Sequence, residues 1–460
     1  MRRVRIKKNE TYVVKFENLS SDGAGIGRIG GFVVFCEGAL PGETAEIKII
    51  KVTTSYAVGK LLKIIDSSPD RIEPEYEQCA QCGGCTYAHY KYEAQLKTKE
   101  QYVVDCLTRI GGIINYTLLP IVGMENPKHY RNKAQYPLGY DDEGKVVTGF
   151  YAKRSHRLIP ADTCVTEDLR AQKVRSFVAS YMTKNNIPVY NEKTHQGLVR
   201  HIVIRTSSIH EDAMLVLVLR EDAFPNKEDF LNELNAECPF VKSVYFNINP
   251  KVTNVILGDE FIHIYGKERL EDAIDGVNFL LSPMSFFQVN PKQTEVLYGL
   301  VNEFAEFEEN DNVLDLYCGI GTIGIYLAKK NRINSLTGVE VVEEAVNDAK
   351  VNADINNVDN ARFLAGDATE VVKELMKEGM HFDVTIIDPP RKGCDEELLK
   401  LLAEIKSERI VYVSCNPATL ARDLKYLTAN GYDVNKVCPV DLFPWTSHVE
   451  CVTLMSRVKD

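Results

Sequence analysis

The C-terminal part of this 460-residue chain is organised around the run Val313-Leu314-Asp315-Leu316-Tyr317-Cys318-Gly319-Ile320-Gly321-Thr322-Ile323-Gly324. An apolar strand, a glycine turn and a helix in this order are typical of a ligand site in an α/β sheet. The reason is that glycines let the backbone approach a ligand where no Cβ would fit. Because glycines also form ordinary turns, the interpretation depends on the sequence around the run.

Apolar strands alternate with helical stretches from about residue 291 onwards. The expected strands are Asn312–Leu316, Ser335–Val339, Ala361–Leu364, Val384–Ile387 and Arg409–Val413. This alternation predicts an α/β fold with a parallel, doubly wound, Rossmann-like sheet. We assign residues 283–460 to this domain.

Acidic residues follow successive strands of the predicted sheet. Glu340 ends the second strand, where it can accept both ribose hydroxyls of an adenosyl cofactor, and Asp367 and Asp388 follow the third and fourth. A dinucleotide-dependent oxidoreductase is the rival interpretation. An S-adenosylmethionine-dependent methyltransferase accounts better for three features: the late position of the glycine motif, Asp315 inside the first strand, and Asp388-Pro389-Pro390, which has no role in hydride transfer.

Composition narrows the class of protein. Apolar residues make up 45% and charged residues 26% of the chain, as in soluble globular proteins. The longest apolar run, Ala213–Leu219, has seven residues, far fewer than the roughly 18 that suggest a membrane span. No export signal follows the basic start Met1–Lys8. We therefore expect a cytoplasmic protein without a membrane partner, whose 12 cysteines are reduced.

The first 66 residues predict a small β-barrel. Short β-rich runs at Tyr12–Phe16, Phe32–Phe35 and Ala45–Ile50 are separated by glycine turns, which is typical of an OB-like fold that binds single-stranded nucleic acid. The turn Asp22–Gly31 and the run Ala39–Glu43 resemble the TRAM domain of RNA-modifying enzymes. We assign residues 1–66 to this domain.

Charge is distributed unevenly, although the net charge is −11. Residues 1–64 hold 11 Lys/Arg and 6 Asp/Glu, whereas residues 295–410 hold 12 Lys/Arg and 24 Asp/Glu. A protein that docks a polyanion with its basic end and performs chemistry at the other would show this pattern. A solvated charged face without a partner is the alternative.

A polar, proline-bounded linker at Ser67–Pro74 leads into a central region, residues 67–282. A helical stretch is expected at Tyr92–Ile110, and strands at Leu198–Ile204 and Met214–Leu219. We predict an antiparallel α+β domain. Two of its segments, Tyr130–Tyr136 and Tyr151–His156, interleave aromatic with basic residues, which suits base stacking and phosphate contact or, equally, a solvated loop.

Cys415 follows the fifth predicted strand, and Asn416-Pro417 then turns the chain into a helix. A thiol near a helix N-terminus has a lowered pKa, and its thiolate is a strong nucleophile. Thiolate addition to C6 of uracil makes C5 able to attack a methyl sulfonium, after which a base must remove the C5 proton. Glu450 offers a carboxylate for that step. A buried cysteine filler and a surface glutamate are the plain alternatives.

Several motifs, in this order, resemble the bacterial RNA uracil-5-methyltransferase family. They are Phe286–Asn290, Asp315–Gly324 within the opening run, Asp388–Gly393, Ser414–Pro417 and His448–Glu450. The resemblance implies Cys415 as nucleophile and Glu450 as base. It further implies S-adenosylmethionine contacts from Gln288, Tyr317, Glu340, Asp367 and Asp388, and contact of Phe286 with the target base. A uridine in structured RNA would be flipped out to reach such a pocket.

With the barrel and the cysteine-rich segment, the chain is most similar to the 23S ribosomal RNA branch, because the transfer-RNA enzyme usually lacks both additions. The resemblance therefore implies 5-methyluridine formation in 23S ribosomal RNA. Methylation of a transfer-RNA uridine and a non-catalytic RNA-binding assembly factor remain alternatives. By default, we expect the protein to be a monomer.

Cys79, Cys82 and Cys85 place three thiols within seven residues, with glycines that let the loop wrap around a metal centre. In the family a fourth ligand follows a Pro-x-x-x-Cys pattern, which Cys164 matches. Four thiolates would hold a [4Fe–4S] cluster, and zinc is the alternative. Many family members have a wider gap after the first cysteine, so the chain departs from the family pattern at Cys79. We expect a structural or RNA-orienting cluster.

Overall fold

The computed structural model describes residues 6–153 and 155–458. The first five residues of the predicted barrel domain and basic N-terminus, Arg154 of the Tyr151–His156 segment, and residues 459–460 lie outside the described residues. No helix within the described part combines the length and apolar character that crossing a bilayer requires.

The N-terminal strands close into a barrel, as their glycine-punctuated runs predict. They are β1 Thr11–Leu19, β2 Gly25–Ile29, β3 Phe32–Glu37, β4 Thr44–Val52 and β5 Tyr56–Asp66, in the order β1-β2-β3-β5-β4. Alternate side chains such as Val14, Phe16 and Ile47 fill the interior. Gly27 has to be a glycine, because a Cβ there would lie 2.4 Å from Cγ1 of Val14.

The chain then contributes to the C-terminal core before it enters the central sheet. Helix α1 Tyr92–Cys106, a π-turn at Leu107–Gly111 and strand β6 Thr117–Leu118 follow the barrel. Val103 and Leu107 are buried among side chains of the C-terminal domain. The segment therefore ties the central region to the C-terminal one. The predicted boundaries after residues 66 and 282 remain predictions.

The central sheet has helices on one face and the C-terminal domain on the other. Its strands are β7 Lys133–Tyr140, β8 Val146–Tyr151, β9 Leu158–Pro160, β10 Val199–Thr206, β11 Ala213–Leu219, β12 Val241–Ile248 and β13 Glu260–Gly266. Their order is β13-β12-β11-β10-β7-β8-β9. Helices α2 Leu169–Lys184 and α3 Lys227–Glu237 cover one face. The expectation of an antiparallel sheet is wrong for the β11–β12 pair, which is parallel because α3 crosses between them.

A hairpin, β14 Leu270–Ile274 and β15 Val277–Leu281, leads to the C-terminal domain. Its strands are β16 Asn312–Leu316, β17 Ser335–Glu340, β18 Ala361–Ala365, β19 Val384–Ile387, β20 Arg409–Ser414, β21 Tyr432–Val440 and β22 Glu450–Arg457. Its helices are α4 Pro291–Ala305, α5 Thr322–Lys330, α6 Glu343–Ile355, α7 Ala368–Lys377, α8 Glu396–Ile405 and α9 Pro417–Ala429.

The C-terminal sheet has the order β18-β17-β16-β19-β20-β22-β21-β6. Strands β16 to β20 are parallel, as predicted, and β22 is antiparallel to both β20 and β21. The strand order reverses beside β16, since β17 lies on one side and β19 on the other. Open α/β sheets bind ligands in the crevice at the carboxyl ends of the strands at such a reversal.

Candidate active site

The turn after β16 leaves space for a ligand. Tyr317, Gly319 and Gly321 have left-handed backbones, with φ of 65°, 55° and 80°. A Cβ on Gly319 would meet no atom within 4 Å, so the backbone there borders open space. The N–H of Cys318 donates to the carbonyl of Val339 at 3.1 Å, which fixes the turn against β17.

Glu340 is held at the rim of this space. Its Oε2 accepts from the N–H of Gly319 at 3.1 Å, and its Oε1 accepts from the N–H of Val342 at 3.0 Å. Asp367 lies at the end of the next strand and caps α7, where it accepts from the N–H of Thr369 at 2.9 Å. Both carboxylates therefore have fixed positions at the carboxyl edge of the sheet.

Two further carboxyl groups lie beneath the turn. Oδ2 of Asp315 accepts from the N–H of Gly324 at 2.9 Å, while its buried Oδ1 has no partner within the described residues. Burial, with a contribution from Asp388, raises the pKa of Asp315 to about 8. Burial also raises the pKa of Asp388 to about 7. A cationic ligand beside them would stabilise both ionised carboxylates.

These features fit S-adenosylmethionine, which carries ribose hydroxyls, an amino group and a positive sulfonium. Glu340 supplies the acceptor pair for hydroxyls, Asp315 supplies an orphaned acceptor, and the open space borders Gly319. Tyr317 lies between Glu340 and Asp388, because β16 pairs with β17 on one side and with β19 on the other. The structure thus brings together the predicted contacts on β16, β17 and β19.

The segment before α4 presents one aromatic ring to solvent. Phe287 is buried, but Phe286 is 67% exposed. Gln288 is buried, and its carbonyl accepts from Nδ2 of Asn132 at 3.4 Å. Asn290 caps α4 and donates to the carbonyl of Leu442 at 3.0 Å. The segment is therefore clamped between the central domain and the loop that precedes Glu450.

Cys415 and Glu450 are neighbours across the sheet. Ser414, the last residue of β20, is paired with Cys451 of the antiparallel strand β22. Cys415 directly follows Ser414, and Glu450 directly precedes Cys451. Both residues therefore lie at the same end of the paired strands β20 and β22. Glu450 is buried, and Cys415 is half-buried.

The electrostatic environment of Cys415 differs from the expected one. Burial, Glu450 and Asp388 raise the pKa of the Cys415 thiol to about 11, against a weaker lowering by Arg391. The lowered thiol pKa predicted from the helix N-terminus is therefore wrong for this structure. Asn416 caps α9 by accepting from the N–H of Ala418 at 3.1 Å, and loss of hydration is the largest cause of the raised pKa of Cys415. Burial and Asp388 similarly raise the pKa of Glu450 to about 8.

Arg391 is a site residue that sequence reasoning missed. Its carbonyl accepts from Nδ2 of Asn416 at 3.0 Å and from the hydroxyl of Thr419 at 3.3 Å, which ties its loop to the start of α9. Its side chain is exposed and lowers the pKa of both Cys415 and Glu450. In the sequence, its position within the Asp388–Gly393 motif was the feature that could have identified Arg391 as a site residue.

The loop between β21 and β22 links Glu450 to the cysteine segment. Asp441 begins this loop and pairs with Lys99 of α1. Farther along, the carbonyl of Trp445 accepts from the N–H of Tyr87 at 2.9 Å, and its own N–H donates to Oε1 of Gln95 at 3.1 Å. The indole packs against the buried group formed by Cys79, Cys85, Ala88 and Val165.

The predicted cysteine ligands converge without forming a closed ligand set. The thiols of Cys79 and Cys85 are near enough to shift each other's pKa in opposite directions, and Cys82 and Cys164 are near enough to raise the pKa of Cys85. Across residues 6–153 and 155–458, however, no three His, Cys, Asp or Glu side chains are arranged to hold a metal ion. The donor chemistry fits a metal centre, and the metal centre itself stays a prediction.

Comparisons with known proteins give consistent similarities. The sequence model of a family described as tRNA (Uracil-5-)-methyltransferase matches residues 91–458, and that of the TRAM domain matches residues 5–62. A Bacillus cereus protein named as an uncharacterized RNA methyltransferase is 46% identical over 454 residues, which cover 99% of this chain and 98% of that protein. A Clostridium tetani protein of the same name is 45% identical over 457 residues, again covering 99% and 98%.

One solved structure matches over nearly the whole length. It is the Pyrococcus abyssi tRNA (uracil-54, C5)-methyltransferase in complex with S-adenosyl-L-homocysteine, with a TM-score of 0.77 and 29% identity. The match covers 96% of this chain and 100% of that one. The predicted fold class, with a TRAM barrel before an S-adenosylmethionine-type domain, is confirmed.

Proposed function

We propose that this chain adds a methyl group to C5 of a uridine in 23S ribosomal RNA. The chain belongs to the tRNA (Uracil-5-)-methyltransferase family and is an S-adenosylmethionine-dependent RNA methyltransferase. Family membership confirms the resemblance drawn from the motifs. The observation that carries the proposed chemistry is the strand pairing that makes Cys415 a neighbour of Glu450.

The cofactor-binding residues we propose are Gln288, Tyr317, Glu340, Asp367 and Asp388. Glu340 would accept hydrogen bonds from the ribose, since its carboxylate is already fixed at the rim beside Gly319. Asp388 lies between the cofactor turn and Cys415, because β19 is flanked by β16 and β20. When bound, S-adenosylmethionine supplies an electrophilic methyl group on sulfur.

Cys415 is the proposed nucleophile. Its thiol gives up a proton, its sulfur bonds to C6 of uracil, and the electrons of the C5–C6 double bond move to make C5 nucleophilic. After C5 is methylated, Glu450 removes the C5 proton, the double bond re-forms and the C6–sulfur bond breaks. A buried carboxylate is a strong base once ionised, and its pKa of about 8 suits this step. Arg391 would favour the thiolate.

Phe286 is proposed to contact the target base. Its exposed ring at the clamped segment before α4 offers a stacking surface for a uridine that has left its helix. The TRAM barrel supplies a nucleic-acid-binding module at the opposite end of the chain.

The choice of 23S ribosomal RNA is supported by the barrel and the cysteine segment together. A transfer-RNA uridine is the second candidate substrate, because the similar Pyrococcus abyssi structure of a tRNA methyltransferase spans 96% of this chain. A chain of this architecture is therefore compatible with either RNA, and the preference for 23S ribosomal RNA depends on the family resemblance. A non-catalytic assembly factor is disfavoured, since RNA binding requires neither Cys415 nor Glu450.

The proposed metal centre is a [4Fe–4S] cluster on Cys79, Cys82, Cys85 and Cys164, with zinc as the alternative. Its support is the convergence of these thiols beside Trp445. We propose a structural role there, since the thiols contact the loop that precedes Glu450.

Covalent trapping tests the proposed function. The protein is incubated with S-adenosylmethionine and 5-fluorouridine-substituted 23S ribosomal RNA or transfer RNA, because fluorine at C5 blocks the elimination. We expect a denaturation-resistant adduct with 23S ribosomal RNA and none from the Cys415→Ala variant. An adduct with transfer RNA alone would favour the second candidate. No adduct with either RNA, or an adduct from Cys415→Ala, would contradict the mechanism.

A further inference from the structure

Basic residues of the central sheet meet beside the segment that carries Phe286. Lys133 of β7 and Arg205 of β10 are directly paired in the antiparallel ladder, so their side chains lie on one face. The neighbouring pair, Ala134 and Ile204, faces the opposite side and packs in the core with α2. Lys133 and Arg205 therefore face the C-terminal domain.

The position of this basic pair is fixed by Arg205. Its guanidinium is almost fully buried and donates to the carbonyl of Ser285 at 2.5 Å. Ser285 immediately precedes Phe286, whose ring is exposed. Arg131, two residues before Lys133, is close enough to lower the pKa of the Lys133 ammonium, and its Nε donates to the Lys133 carbonyl at 3.0 Å.

Among the three cations, Lys133 is the one that faces like charges alone within the described residues, since Asp272 acts on Arg205 and Arg131 acts on Glu167. The Nη1 atom of Arg205 is buried without a hydrogen-bond partner in the described part of the chain. Burial, Arg205 and Arg131 lower the pKa of Lys133 to about 7. The acid that acts on Arg205 is the buried Asp272, whose Oδ1 accepts from the N–H of Ser208 at 3.0 Å and whose Oδ2 has no hydrogen-bond partner in the described part of the chain.

A half-buried ammonium that faces only like charges is costly to a fold, so the position of Lys133 beside Arg205 and Arg131 is better explained by an anionic ligand than by a structural role. RNA offers such an anion at every linkage, and guanidinium and ammonium groups are the usual phosphate ligands. A phosphate here would lie next to a base stacked on Phe286.

We propose that Lys133, Arg205 and Arg131 form an anion-binding site for one backbone phosphate of the RNA substrate, adjacent to the base held by Phe286. The inference rests on the proposed RNA substrate. It assigns the Arg131–Lys133 part of the basic segment to phosphate contact rather than to a solvated loop.

Salt-dependent RNA binding tests the site through Lys133, since Arg205 is buried and its replacement could prevent folding. The variants are Lys133→Ala, Lys133→Arg and, as a control, Lys184→Ala, whose lysine is exposed and paired with Glu233. For Lys133→Ala we expect roughly tenfold weaker binding and a salt slope smaller by about 0.7–0.9, the loss of one phosphate contact. Lys133→Arg should restore binding, and the control should match wild type.

A second measurement identifies the contact. Short RNAs containing the target uridine carry a single neutral methylphosphonate at successive linkages around it. We expect one linkage to weaken wild-type binding about tenfold and to have no further effect on Lys133→Ala. Equal sensitivity of both proteins at every linkage, or an unchanged salt slope in Lys133→Ala, would overturn the proposal. If the wild type methylates neither RNA, the proposed function fails. The salt dependence of binding to a 23S transcript, compared between wild type and Lys133→Ala, would still test the anion-binding site.

Discussion

Nζ of Lys99 lies 2.5 Å from Oδ1 of Asp441, and neither side chain is exposed to solvent. The hydroxyl of Tyr92 donates to the other oxygen of Asp441 at 2.8 Å, and Lys99 also donates to the carbonyl of Phe443 at 3.1 Å. This ion pair joins α1 to the start of the loop that ends at Glu450. The proposed base is therefore anchored by a residue more than three hundred positions away in sequence.

Replacing Lys99 with methionine should destabilise the protein by about 3–5 kcal/mol, because Asp441 would remain buried without its cation. Urea unfolding followed by circular dichroism measures the change. The exposed pair Lys400–Glu404 supplies the control, since Lys400→Met should cost less than about 1 kcal/mol. Wild-type stability of Lys99→Met would show that the pair contributes little.

Glu450→Gln should stop the reaction after methyl transfer, because an amide cannot remove the C5 proton that lets Cys415 leave. We expect a covalent protein–RNA adduct to accumulate on ordinary uridine-containing RNA, detected as a shifted band on a denaturing gel. The exposed Glu404 provides the matched variant, Glu404→Gln, which should turn over normally without an adduct. Normal turnover by Glu450→Gln would mean that another group is the base.

Alkylation of Cys415 by iodoacetamide should become faster as pH rises towards about 11, because only the thiolate reacts. Burial and the carboxylates of Glu450 and Asp388 disfavour that thiolate at lower pH. Mass spectrometry of the Cys415 peptide follows the rate. In Glu450→Gln one of those charges is absent, so the midpoint should move to lower pH. Asp367→Asn should leave it unchanged, since Asp367 is not among the groups that shift this thiol. An unmoved midpoint in Glu450→Gln would contradict the proximity of the two groups.

Anaerobic purification should yield protein with iron and sulfide in equal amounts, about four of each per chain for a [4Fe–4S] cluster. Cys82→Ser should lose both, because its thiol is one of the proposed ligands. Cys238→Ala, in the core beneath the central sheet, should keep both. Zinc in place of iron would support the alternative centre, and protein free of any metal would refute both.

The central parallel strands β16, β19 and β20 were predictable because they are buried on both faces and consist largely of apolar residues. Val384–Ile387 has the predicted bounds, and β20 differs from its prediction by one residue. The apposition of Cys415 and Glu450 was not predictable from residue patterns, since it depends on β22 inserting between β20 and β21. The addition of Thr117–Leu118 to the sheet edge was missed for the same reason.

The sign of the Cys415 pKa shift shows a second limit of sequence reasoning. The position of Cys415 near the N-terminus of a helix is visible in the sequence and favours the thiolate. Desolvation, however, depends on how deeply the side chain lies in the folded protein, and charge repulsion depends on which carboxylates are brought near it. The repulsion comes from Asp388 and Glu450, which are distant from Cys415 in sequence. Local motifs therefore located the residue but not its acidity.

Gly319→Ala should weaken S-adenosylmethionine binding while leaving the fold nearly intact. A Cβ at Gly319 would meet no protein atom within 4 Å, so it would project into the space proposed for the cofactor. The left-handed backbone there, with φ of 55°, adds a strain of about 1 kcal/mol. Isothermal titration with S-adenosylhomocysteine should show at least tenfold weaker binding, with a melting temperature within a few degrees of wild type.

Gly276→Ala is the control, because Gly276 also has a left-handed backbone and open space around it but lies in the β14–β15 hairpin. It should incur the same strain and bind normally. Equal affinity of wild type and Gly319→Ala would place the cofactor elsewhere than above this turn.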